Sequence, residues 1–182
     1  MNHLLSTAVL ALCLPALAGA TDCRRLREVS PDTELRACPA LRVAETTVRT
    51  VDPGQALAEG RERLAEALGS RLGQRPLWLS GRPPEWRVGV VLAASEAAPA
   101  TGVEVRTQPP ATVAALGFRG RWSTVRHAER QQALRRDLQK AGIAIAGEPW
   151  LVRYPRRLLP DVLQRSEALV VVHDGARAGT AP

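Results

Sequence analysis

The sequence predicts an α+β fold in which duplicated β-α-β-β units form a distorted antiparallel sheet or barrel carrying two long helices. Three observations predict it. Strand and helix patterns follow in the same order twice, the apolar positions of the two passes coincide at a fixed spacing, and each helix opens on a capping residue. At a spacing of 70 residues Val43 falls on Val113, Ala44 on Ala114, Leu64 on Leu134 and Leu68 on Leu138, while Trp78 and Trp150 match at 72.

Taken in chain order, residues 1–20 read as a signal peptide. The apolar run from Leu4 to Leu17 ends in Ala18-Gly19-Ala20, a small-x-small cleavage pattern, and is shorter than the ~20 apolar residues a membrane span needs. The expected destination is outside the cytoplasm, the bacterial periplasm, with no stable membrane insertion after cleavage. Cys13 leaves with the leader. Segment 21–40 then holds Cys23 and Cys38, an even pair that predicts one disulfide in an exported chain.

The main domain spans 41–173, with units at about 41–94 and 103–173. The first unit opens on the strand LRVAETTVR, followed by Asp52-Pro53 as N-cap and first turn, and by a helix with Leu57, Leu64, Ala67 and Leu68 on one face. Strands PLWLSG and WRVGVVLAA follow around Arg82-Pro83-Pro84. A small-residue linker, ASEAAPATG, and a short strand, VEVRT, lead to the second unit. There ATVAALGFR is a strand that Gly120 ends, Ser123 caps a helix reaching about Ala141, and PWLVRY and EALVVVHD are strands. Phe118 then faces the core and Trp122 covers the start of the helix. Residues 174–182 carry no pattern and read as a disordered tail.

The formal charge is +7, carried by arginines spread along the chain with a single Lys140, and aromatic residues make up 3 %. Nucleic-acid binding calls for a concentrated basic patch or stacking aromatics, so a soluble basic surface is the expectation. No CxxC or Cys/His cluster speaks for structural zinc.

The segments PPATVAALGFRGRWS, ALRRDLQKAGI, GEPWLVRY and LLPDVLQRSEALVVV, in this order, resemble the C-terminal half of the SOUL haem-binding protein family; LRVAETTV and its helix resemble the first half. The chain departs from the family in having PLWLSGRPP at the Met-Thr-x-Pro-Val segment and Ser166 before Glu167. GyrI-like effector-binding domains, built from the same duplicated unit, are related to that family. The resemblance implies a non-enzymatic binder of haem or a similar tetrapyrrole, held non-covalently in a hydrophobic cleft between the second helix, the Trp150 strand and the loop from Pro155 to Ser166. Alternatives are a binder of other apolar or cationic small molecules and a hydrolase using Glu167 as base.

Within that cleft His127 stands on the helix stripe with Gln131, Leu134 and Leu138, where the first unit has Leu57. It reads either as an axial iron ligand or as a core histidine. Glu167 reads as a carboxylate for a cationic ligand or a proton, or as one tied to Arg165 or to backbone N–H groups. Arg156 and Arg157 are placed to meet propionates or solvent. Leu158, Leu159, Val162 and Leu163 give the loop an apolar side suited to a flap. The sequence leaves the oligomeric state open.

Overall fold

A computed structural model of the chain describes residues 23–99, 102–120, 122–156, 158 and 160–173. The expected leader and tail, as well as Arg157 and Leu159, lie outside the described residues. The described residues form a single antiparallel sheet of nine strands: β1 (Arg24–Ser30), β2 (Thr33–Cys38), β3 (Leu41–Arg49), β4 (Leu77–Arg82), β5 (Glu85–Leu92), β6 (Glu104–Gln108), β7 (Ala111–Arg119), β8 (Trp150–Tyr154) and β9 (Arg165–Val171). Two helices, α1 (Pro53–Leu68) and α2 (Thr124–Lys140), pack on one face of it. This is the α+β fold with two long helices that the duplication predicts.

Spatial order in the sheet is β1-β2-β7-β9-β8-β4-β5-β3-β6. The two units meet at the β4–β8 pair, where Trp78 lies opposite Val152, and the order runs outward alike on either side. Matching positions do matching work. Leu64 and Leu134 are both fully buried beneath their helices, as are Leu68 and Leu138 one turn on, and burying such a side chain contributes about 2 kcal/mol.

Each helix start is set by its cap. The Asp52 carboxylate accepts from the Gln55 N–H at 2.7 Å and the Ser123 hydroxyl from the Arg126 N–H at 3.3 Å, and Pro53 occupies the first position of α1. Gly60 lets α1 approach the sheet: a Cβ there would lie 2.4 Å from the Val88 Cβ. Gly120 has φ 129°, a conformation other residues rarely adopt, and it turns the chain out of β7 toward α2.

Two features exceed the expected architecture. Residues 23–38 of the N-terminal segment form a β-hairpin, β1–β2, fastened by the Cys23–Cys38 disulfide. Moreover, β2 and β6 are exchanged between the units. Each directly precedes the first strand of its own unit, yet β2 pairs with β7 and β6 with β3. Their sequences repeat as well, with Glu34, Arg36 and Pro39 falling on Glu104, Arg106 and Pro109 at the same spacing of 70.

Candidate ligand-binding face

Alternation along the strands divides the side chains between two faces of the sheet. Leu151 and Arg153 of β8 and Ala168 and Val170 of β9 point toward the helices. Trp150, Val152, Tyr154, Glu167 and Leu169 point to the other face. That helix-free face has its own apolar cluster of Val43, Trp78, Val113, Ala115, Val152 and Leu169. Val43 and Val113 are far apart in strand order, so the sheet curls over this face.

The expected cleft is therefore not a single place. His127 sits on the helix side, 5 % exposed, with its ring edge-on to Trp122 at 4.0 Å between centroids. The sheet itself separates it from Trp150 and Glu167. Burial, with a smaller effect of the Arg153 charge, lowers the His127 pKa to about 4, and neither ring nitrogen has a hydrogen-bond partner among the described residues. Its surroundings are those of a core histidine. Trp122, whose indole N–H donates to the Pro53 carbonyl at 3.3 Å, joins the starts of the two helices over it. Arg156 is exposed just past β8.

Glu167 is the ionic centre of the helix-free face. The side chain is fully buried, and Arg36 donates to its two oxygens at 2.9 Å each. Tyr154 donates its hydroxyl proton at 2.7 Å, and Arg165 adds a further contact. Burial alone would raise the carboxyl pKa. The Arg36 hydrogen bonds and charge outweigh it, with Tyr154 and Arg165 adding to them, and hold the pKa below the ordinary value. The Tyr154 phenol is pushed up by burial and by the adjacent carboxylate. Thus the expected Arg165 contact is present, while the main partner comes from β2. A carboxylate held this way has no charge left over for a cationic ligand and is a weak base.

The face carries an aromatic centre too. Trp78 and Trp150, the matched pair of the repeat, stack with ring centroids 5.8 Å apart and 27° between planes. Both indole N–H groups are shielded from solvent and have no acceptor among the described residues. Near Glu167, a hollow of about 200 Å³ opens between the β1–β2 turn and the strands, reaching Arg36, Gly117, Arg165 and Glu167. No group of three metal-binding side chains occurs among the described residues.

Arg36, Tyr154 and Trp78 were not among the site residues expected from sequence. A signal for Arg36 existed, because extending the repeat upstream of Leu41 aligns it with Arg106, a partly exposed arginine that pairs on this face with the buried Glu45 at 2.6 Å.

Fold and site together define a duplicated two-helix α+β domain with an aromatic and ionic surface on the curled side of its sheet. No protein-family model and no curated protein sequence matches the chain. Among solved structures it is similar to the C-terminal domain of EcmrR, at 11 % identity and TM-score 0.57, over 78 % of this chain and 96 % of that one. A hydrolase from Listeria innocua is similar at 10 % identity and TM-score 0.54, over 79 % and 93 % of the two chains. EcmrR in its DNA complex gives 11 % identity and TM-score 0.60 over 78 % of this chain, which spans 57 % of that longer chain. At these identities the shared property is the fold.

Proposed function

We propose that this chain is an exported small-molecule-binding domain that holds a planar, largely apolar ligand on the helix-free face of its sheet, between the Trp78–Trp150 stack and the Glu167 cluster. One observation carries the reading: two stacked indoles with buried, unpartnered N–H groups stand on the same face as a buried ionic cluster beside an open hollow. The duplicated fold supports it, being shared with EcmrR, and the resemblance to SOUL and GyrI-like proteins points to the same use. The Cys23–Cys38 disulfide suits an oxidising compartment and agrees with the leader-like residues 1–20.

Haem, or a similar tetrapyrrole, is the ligand that the SOUL resemblance implies. Trp150 and Glu167 are on the proposed face, which fits a planar body held by contact, and Arg156 is exposed two residues past the end of β8. His127 lies across the sheet and does not fit as an axial ligand to it.

The test is a haem titration of the purified mature protein, followed by absorbance and by tryptophan fluorescence. Saturable binding that Trp150→Ala weakens about tenfold, as loss of a stacking contact would, and that His127→Leu leaves intact is expected. Dependence on His127 without dependence on Trp150 would overturn the placement, and no saturable change would remove haem from the ligand class.

A further inference from the structure

The hollow beside Glu167 has a charge bias that the ion pairs do not cancel. At the ends of β7 and β9 it adjoins a second hollow of about 440 Å³, with Asp32, Gly117 and Arg165 common to both. The two are lined by five arginines, Arg25, Arg36, Arg119, Arg130 and Arg165, against three carboxylates, Asp32, Glu34 and Glu167. Arg36 bridges Glu34 and Glu167, and Arg25 is held by Glu28 and Glu34. Arg119 and Arg130 have no carboxylate partner among the described residues. The Arg130 guanidinium stands over the Phe118 ring at 5.7 Å, and its Nε–H is shielded from solvent without an acceptor. Arg165 uses one nitrogen on Glu167 and leaves its side chain 58 % exposed.

A second observation concerns shape. Gly117 lies opposite Glu167 in the middle of a regular strand, with no positive φ to require glycine. A Cβ built on it would meet nothing within 4 Å. Glycine in a strand interior weakens the strand, and here its effect is to keep the floor of the hollow open. From this floor the row Ala115–Leu169–Trp150 leads across two strands, roughly 10 Å, to the tryptophan pair.

We infer that the hollow at Gly117 receives the anionic group of the ligand, so that the domain selects planar organic anions, carboxylates above all, over neutral or cationic ligands of the same shape. This rests on the reading of the helix-free face as a ligand site. Arg130 and Arg165 supply charge-assisted donors to the anion, while its apolar body extends toward Trp150. Arg36 is the reason cations are refused: it neutralises the one carboxylate at the centre of the face.

A series of 1-naphthoate, 1-naphthalenemethanol and 1-naphthylmethylammonium, titrated calorimetrically into the mature protein, keeps the aromatic body constant while the charge of the substituent runs from negative to positive. Naphthoate is expected to bind one to one and at least tenfold more tightly than the alcohol, with the ammonium weakest. Gly117→Val and Arg130→Gln should each lower naphthoate affinity about tenfold without changing the melting temperature by more than a few degrees. Arg63→Gln, on the outer side of α1, should leave it unchanged and so controls for the overall positive charge. Ammonium binding equal to that of naphthoate, or full naphthoate affinity in both Gly117→Val and Arg130→Gln, would overturn the inference. If the alcohol or the ammonium binds as tightly as naphthoate and Trp150→Ala weakens it, the small-molecule reading stands and the preference for anions falls. If none of the three binds and haem does not either, both fall.

Discussion

Replacing His127 by leucine isolates one buried ionisable group. The ring is 5 % exposed, packs against Trp122, and has no partner for either nitrogen among the described residues, while the equivalent position in the first unit is already a leucine, Leu57, itself buried. The folded protein keeps the imidazole neutral down to about 4, against an ordinary 6.5 in the unfolded chain. Above pH 6.5 neither state is protonated and the group contributes no pH dependence. As pH falls from 6.5 toward 4, the unfolded chain takes up a proton that the folded one refuses, so wild-type stability declines, by about 3 kcal/mol over the whole interval. The leucine variant lacks this loss. Its stability should match or exceed that of wild type at pH 7.5, by up to about 1 kcal/mol, since two unpaired polar atoms are replaced by hydrocarbon. Urea unfolding of both proteins at pH 7.5, 6, 5 and 4.5 measures the difference directly, and carboxylates common to both cancel. A gap between the two proteins that stays constant across these pH values would refute the argument, because a neutral buried ring cannot give that result.

Glu167→Gln should destabilise the fold by about 3 kcal/mol in thermal or urea unfolding, since Arg36 keeps Glu34 but loses the fully buried one of its two carboxylate partners. In wild type the Glu167 contribution is present above pH 4.5 and lost as pH falls below it through the depressed folded value, visible as acid unfolding that the Gln variant shows less steeply. Gly60→Ala should cost about 1–3 kcal/mol by calorimetry despite alanine's better helix propensity, because its Cβ meets Val88 at a distance the packed sheet must yield to. Cys23→Ser with Cys38→Ser should lower stability by about 3 kcal/mol, loosening the hairpin that delivers Arg36.

Repetition made the architecture readable. The positions shared at a spacing of 70, the caps at Asp52 and Ser123 and the glycine stop at Gly120 are local signals, and each lies where the structure uses it. The β1–β2 hairpin was less visible because its outer strand is exposed and charged, with little apolar alternation to mark it. The partition of the site was hidden for another reason. Strands β8 and β9 are buried on both faces, so their apolar runs do not reveal which residues meet the helices and which the curled side. His127 and Trp150 could thus be assigned to one cleft from sequence although the sheet divides them. Glu167 stood out as a carboxylate in an apolar strand, yet its chief partner is 131 residues away in the chain, and such pairing follows only from the tertiary fold.

The exchanged strands β2 and β6 have a bearing on ancestry and symmetry. Two copies of a single unit, each lending its leading strand to the other, would make strands β2 to β9 of this sheet as a two-fold dimer, and every residue would then have its own duplicate across the axis. Joining both copies in one chain lifts that restraint. Near the axis the duplicates remain alike, Trp78 against Trp150. Further out they have diverged: the row Val152–Glu167–Gly117 in the second half has Ser80–Arg87–Thr47 as its mirror in the first, a buried acid on one side and an exposed base on the other. The two lent arginines followed suit, Arg36 clasping Glu167 on β9 and Arg106 clasping Glu45 on β3. A face that a dimer must make identical at both ends has become polar along its length, with unlike charges at its two ends.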